Sequence, residues 1–190
     1  MREEKQRKIV DAAMEVIEEH GFEKASVSQF VKRAGVAQGT FYLYFSSKNE
    51  IVPAIAERIL TEQLKRVQER AGESPSRKEL LHALIDITFD ITEEYKSLIS
   101  FCYAGIALYY SFERWEEIYR PYYSWLEEQF EHLRSDKKIA GNVALAYQVN
   151  YTVGLIEHGA ESYYLSHTAA GDRKEMKKQL YKFTKQALYA

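Results

Sequence analysis

Along Glu3–His20 the apolar side chains Ile9, Ala13, Val16 and Ile17, with His20, return at the 3.6-residue period of a helix with one buried face. Gly21 follows where a left-handed cap ends such a helix easily, and Phe22 is placed to fold back as an apolar anchor. Ser26, with Gln29 three positions on, forms a capping box opening a short helix that turns Val27, Phe30, Val31 and Ala34 inward and stops at Gly35. A second short helix is expected from about Ala37 to Tyr44, held to the core by Phe41 and Phe45. Ser47 and Glu50 offer a further capping box at the start of a long helix. Two short helices joined by a glycine turn and braced by an earlier one have the layout of a helix-turn-helix.

The pattern stays helical beyond this head. Glu50–Ala71 carries a stripe of Ile51, Ile55, Ile59, Leu60, Leu64 and Val67, and Pro53 is tolerated in its first turn. A polar loop, Gly72–Lys78, precedes expected helices at Lys78–Tyr95, Lys96–Tyr110 and Glu113–Leu133, the last kinked or broken near Pro121. Ile139–Ser166 reads as one long helix and Asp172–Tyr189 as the closing one. The long helix has Val143, Tyr147, Asn150, Gly154 and Glu161 on one side, and Leu145, Gln148, Thr152, Leu155 and Gly159 on another. A helix apolar on both sides must be covered twice, most simply by the body and by a second subunit. The expected fold is all-α with about nine helices, divided into a DNA-binding head, residues 1–50, and a helical body, residues 51–190.

Composition agrees with helices: the 190 residues hold three prolines and nine glycines, with 46% hydrophobic and 28% charged side chains. The lone cysteine, Cys102, rules out an intrachain disulfide and fits a reducing cytoplasm. The amino terminus mixes charges of both signs without an apolar stretch, unlike a secretory leader. Of the uncharged runs, Ser97–Phe112 is short for a membrane span and carries serines, and Ile139–Ile156 contains Asn142, Gln148 and Asn150, so both read as buried helices. Net charge is −2, yet Lys24–Asn49 contains Lys24, Lys32, Arg33 and Lys48 and no acid, so a basic face is available to nucleic acid.

Catalytic chemistry is not assembled. Glu79 and His82 have the spacing of a carboxylate-bridged metal bundle, but that fold needs two copies. Glu157 and Glu161 share a helical face suited to a solvated or interface role, and Cys102 reads as an inert core thiol. With no phosphate loop, nucleophile elbow or HExxH, neither a catalytic residue, a metal nor a cofactor is expected. A bundle enzyme or a protein–protein adaptor leaves the helix-turn-helix, its local charge and the capping boxes unexplained together.

The stretch from Ala34 to Val52, AGVAQGTFYLYFSSKNEIV, closely resembles the signature of the tetracycline-repressor-like (TetR) family, and the preceding helices are similar to that family's first helices. The resemblance covers about the first 55 residues; beyond them it extends to length and helical character. It implies a homodimeric repressor of double-stranded DNA, bound to an inverted-repeat operator and released by a small-molecule inducer, with the last two helices forming a four-helix dimer interface. The residues agree with a DNA-reading role. Gly39 permits close backbone approach, Gln38 and Thr40 suit base edges, and Tyr42 and Tyr44 can extend hydroxyls to phosphates. Lys48 lies where an ammonium and helix N–H groups can share one phosphate. Ser26 and Ser28, at the amino end of the second helix, are placed to touch phosphate, and a plain N-cap explains Ser26 equally well.

Aromatic side chains crowd the window Tyr95–Trp125, with eleven in 31 residues against 14% overall. Such a cluster can line a pocket or simply fill a core. The expected ligand contacts are Phe89, Phe101, Tyr109, Tyr110, Trp115, Tyr119 and Tyr123, with Tyr147 and Asn150 from the long helix. They suit a largely apolar or aromatic ligand.

Overall fold

The computed structural model describes residues 2–109, 112–136, 143–166 and 171–189. Among the described residues the regular elements are helices: α1 (Arg2–His20), α2 (Val27–Ala34), α3 (Gln38–Phe41), α4 (Ile51–Ala71), α5 (Arg77–Glu94), α6 (Lys96–Tyr109), α7 (Phe112–Ser135), α8 (Leu145–Tyr164) and α9 (Arg173–Tyr189). They pack as two compact units, one built from Met1–Ile59 and Ser97–Ile118, the other from Leu60–Lys96 and Tyr119–Ala190.

In the first unit α1 buries Ile9, Ala13, Val16 and Ile17, while His20 stays exposed at its end. Gly21 and Gly35 take φ of 75° and 66°, the left-handed conformation that ends α1 and α2. Ser26 caps α2 by accepting the Gln29 N–H at 3.3 Å, but its own hydroxyl donates to Gln29 Oε1 at 2.9 Å. The reciprocal arm of the box is therefore made side chain to side chain. Fully buried Phe30 and Phe41 meet with ring centroids 6.4 Å apart, and Phe45 continues the stack 5.1 Å from Phe41. Arg33 closes the outside of the pair, donating to Glu15 at 2.9 Å and to both carboxylate oxygens of Glu19 at 2.9 and 2.7 Å. From α6, Phe101 packs on Phe22 at 4.5 Å, and the Cys102 thiol, 3.9 Å from the Val52 carbonyl, is pushed by burial up to about 12.

The second unit is held by α5, α8 and α9, which contact one another pairwise. A capping box opens α5: the Glu79 N–H donates to Ser76 Oγ at 3.3 Å and the Ser76 N–H to Glu79 Oε2 at 2.9 Å. Gly159 lets α9 close on α8, because a Cβ there would lie 3.0 Å from Leu180 Cδ2. Arg173 ties α9 to Asp90 and Glu93 of α5. Arg66 joins α4 to α5, donating to Glu62 at 2.8 Å and Glu94 at 2.7 Å.

Several local expectations change. The second helix of the motif is one turn, Gln38–Phe41, and Tyr42–Tyr44 continue as a turn in which the N–H groups of Leu43 and Tyr44 reach back three residues. Ser47 makes no side-chain cap, since Lys48–Glu50 is a 3-10 turn before α4. Pro121 leaves α7 unbroken; it sits on the exposed face, where the carbonyl of Glu117 can turn to water. The long helix begins at Leu145, with Ala144 as its N-cap, and the start foreseen at Ile139 lies outside the described residues.

Candidate functional site

Gln38 and Gly39 open α3 exposed, and Thr40 is half-buried beside them. Tyr42 is 54% exposed and Leu43 69%. Behind this surface Phe41 and Phe45 are buried, so a one-turn helix is fixed by two rings rather than by its own length. Tyr44 is half-buried, with the Arg2 guanidinium 6.0 Å over its ring, which brings the basic start of α1 beside the same surface. Sequence reasoning passed over Leu43 because an apolar side chain between two tyrosines reads as core.

Gly39 has no positive φ, and a Cβ built there meets nothing within 4 Å. Neither backbone conformation nor internal packing calls for glycine at this position.

Lys48 is placed differently from expectation. Its ammonium donates to the carbonyls of Phe22 at 3.0 Å and Ala25 at 3.1 Å and lies 4.2 Å from the Phe22 ring centroid. It thus braces the turn between α1 and α2. Arg33 is paired with Glu15 and Glu19 at the surface and Lys48 is bound to carbonyls, so Lys24 and Lys32 are the exposed lysines of this stretch. Ser28 is exposed on the first turn of α2, and Ser26 is occupied as its cap.

The expected ligand residues are divided between the two units. In the first unit, Phe101 packs on Phe22, and Trp115 is half-buried. Tyr110 and the side chain of Tyr109 lie outside the described residues. In the second unit, Phe89 is fully buried core against Tyr163 and Tyr164, at 6.2 and 6.1 Å. Tyr147, 59% exposed, and Asn150, also exposed, point away from that core. The register of α8 turns Gln148 and Thr152 inward instead, because Arg134 satisfies the Gln148 amide oxygen at 2.6 Å and the Thr152 hydroxyl returns to the Gln148 carbonyl at 2.6 Å. Both polar groups are thereby compensated in the interior.

Tyr119 and Tyr123 do come together, with ring centroids 5.3 Å apart. The Tyr119 hydroxyl donates to the Glu157 carboxylate, 3.2 and 3.1 Å from its two oxygens. Beside them buried Tyr122 accepts from Gln63 Nε2 at 3.5 Å, and Gln63 also donates to Thr88 at 3.3 Å. Glu157 is half-buried rather than solvated. Burial, with Glu161 one turn along, pushes its carboxyl up to about 8 against the opposing pull of the Tyr119 hydroxyl. The Glu79 and His82 pair does not converge: Glu79 completes the cap of α5, while His82 stacks on Tyr181 at 4.4 Å.

The model of the family described as bacterial regulatory proteins, tetR family, matches residues 9–55. That of the tetracyclin repressor-like C-terminal domain matches residues 81–188. An uncharacterised HTH-type transcriptional regulator of Bacillus subtilis, YvdT, is 42% identical over 184 residues, spanning 97% of this chain and 95% of that one. The fold is similar to FadR of Bacillus subtilis in complex with stearoyl-CoA, with TM-score 0.74, 23% identity and coverage of 94% and 97% of the two chains. It is also similar to a transcriptional regulator of Saccharomonospora viridis in complex with choline, with TM-score 0.72, 14% identity and 99% of each chain. Family matches over both parts of the chain and a relative of nearly equal extent meet on a helix-turn-helix with an exposed reading surface: the chain belongs to the TetR family and is a DNA-binding transcriptional regulator.

Proposed function

We propose that the protein is a homodimeric, non-enzymatic repressor that grips an inverted-repeat operator in the bacterial cytoplasm through residues 1–50. A small, largely apolar inducer bound in the body, residues 51–190, releases it. Gly39 is the observation that carries the DNA-reading assignment: nothing inside the protein requires a glycine there, so the missing side chain serves an external surface that approaches closely. Around it Gln38 and Thr40 are offered to base edges, Leu43 to a thymine methyl, and Tyr42, Tyr44 and Ser28 to phosphates. The ammonium of Lys48 keeps one donor of three for a phosphate after bonding two carbonyls.

A single turn of helix reads few base pairs, so useful specificity requires two copies. Exposed rings support a second copy: Tyr147 and Tyr151 stack at 5.9 Å on the outside of α8, and Phe183 is 62% exposed on α9. For the inducer, Tyr119 and Tyr123 offer rings and hydroxyls that suit an apolar ligand with polar atoms.

Selection of bound sequences from a random DNA pool tests this reading. An inverted repeat is expected, with half-sites about one helical turn apart. Gly39→Ala should retain or slightly raise thermal stability, by about 0.5–1 kcal/mol, while losing most operator affinity. Recovery of a lone half-site, or full binding by the alanine variant, would overturn it.

A further inference from the structure

Glu157 is a half-buried carboxyl group with no basic side chain paired to it among the described residues. Burial favours the neutral form of such a carboxyl, so a proton relieves its charge unless a cation is brought beside it. Its surroundings are specific. Tyr119 donates to it from α7, the Tyr123 ring lies against that of Tyr119, and Tyr122 sits between them in sequence, locked through Gln63 to Thr88. Electron-rich ring faces beside an anionic group are the combination that holds an organic cation away from water. A plain acid–phenol strut between α7 and α8 would need one tyrosine and gain nothing from the second ring.

We propose that Glu157, Tyr119 and Tyr123 form a subsite for the positively charged head of an organic ammonium ligand. Glu157 supplies the counter-charge and the two rings pack against the methyl or methylene groups around the nitrogen. This rests on the inducer-release reading above and specifies the chemistry of the inducer. An ammonium head on an apolar body stays within the largely apolar class expected from the aromatic window.

The ligand-free protein holds a proton at this site near neutrality, since the carboxyl sits at about 8. The groups facing it are the hydroxyls of Tyr119, Tyr122 and Tyr123 from α7 and the carboxyl of Glu161 from its own helix. Through Tyr122, α4 and α5 contribute the uncharged Gln63 and Thr88. A permanent cation must displace the proton, so its affinity rises about tenfold per pH unit below that value and levels off above it.

Titration calorimetry on the full chain compares phenyltrimethylammonium, which neither titrates nor donates a hydrogen bond, with its uncharged isostere tert-butylbenzene. The cation is expected to bind about tenfold more tightly at about pH 7 than at about pH 6, releasing close to one proton. Glu157→Gln should flatten that profile and weaken the cation, leaving tert-butylbenzene unchanged. Tyr119→Phe, which keeps the ring, should keep the preference for the cation. Equal affinity for the two probes, a pH-independent cation affinity, or no cation binding overturns the proposal. If Glu157→Gln fails to fold, the pH profile and proton count of the unaltered protein decide alone. An inverted repeat recovered in the DNA selection alongside a failure here would leave the repressor standing and remove its cationic inducer.

Discussion

The ammonium of Lys48 directs two donors to the carbonyls of Phe22 and Ala25, residues 26 and 23 positions earlier in the chain. Charge-assisted bonds to part-buried carbonyls contribute more than neutral ones, so this side chain is structural before it is electrostatic. Lys48→Met keeps the apolar stem and removes the donors. It should lower stability by about 2 kcal/mol, or about 5 °C in Tm by thermal melting. It should also reduce the slope of log affinity against log salt by about one, measured on a selected operator. An unchanged melting temperature would mean that both carbonyl bonds are dispensable. That Lys48 lies at the start of a long helix was legible from the pattern of the sequence. Its partners were not, because periodicity reports neighbours within one helix and carries no information about a turn two elements away. Arg33 is the same case: it reads as a free cation in sequence, yet Glu15 and Glu19, on the same face of α1 one turn apart, clasp it.

At the scale of elements, two similar sequence signals have opposite outcomes. Ser47–Glu50 and Ser76–Glu79 share the spacing of a capping box, but only the second closes. Ser47 enters a 3-10 turn, whose tighter backbone carries its hydroxyl away from the helical N–H groups. Ser76→Ala should therefore destabilise by about 1 kcal/mol while Ser47→Ala stays within a few tenths, a contrast read from paired denaturant melts. A loss at Ser47 as large as that at Ser76 would show that the side chain does cap. The Ser76 box went unrecognised because Pro75 and the polar run around it read as loop. In α8 the two faces were legible from the period, yet which one turned inward was not. Polar Gln148 and Thr152 lie inside because Arg134 and a main-chain carbonyl satisfy them, and aromatic Tyr147 and Tyr151 lie outside. Hydrophobicity alone ranks those pairs the other way.

For the whole molecule, the exposed rings on α8 and α9 are the feature that a lone chain leaves unexplained. Single exposed apolar side chains are ordinary, but Tyr147, Tyr151 and Phe183, each more than half exposed, are concentrated on the two carboxyl-terminal helices. Tyr151→Glu combined with Phe183→Glu should convert a dimer into a monomer in sedimentation at micromolar concentration and weaken operator binding sharply. Because both positions are already in contact with solvent, each chain should keep its helical circular dichroism. A dimer that survives both charges would place the two-fold elsewhere. The all-helical fold was legible in the sequence because sparse proline and glycine leave long uninterrupted periods. The split into compact units was not, since α6 packs with residues far upstream of it.

The ring of Phe101 against that of Phe22 belongs to this last feature and bears on how such a regulator could be re-engineered. The DNA-reading surface rests on a scaffold assembled from two separated stretches of chain, so it is not a cassette with a clean end point. A graft of residues 1–50 onto a foreign body would leave Phe22 without the α6 ring that covers it and would cut the chain just before buried Ile51, Val52 and Ile55. The unit that holds both rings comprises residues 1–59 and 97–118, and its limits fall inside α4 and α7, so no cut at a loop frees it. If the proposed reading of DNA by Gln38 and Leu43 holds, new sequence preferences are more readily written at these exposed positions than obtained by transplanting the head that presents them.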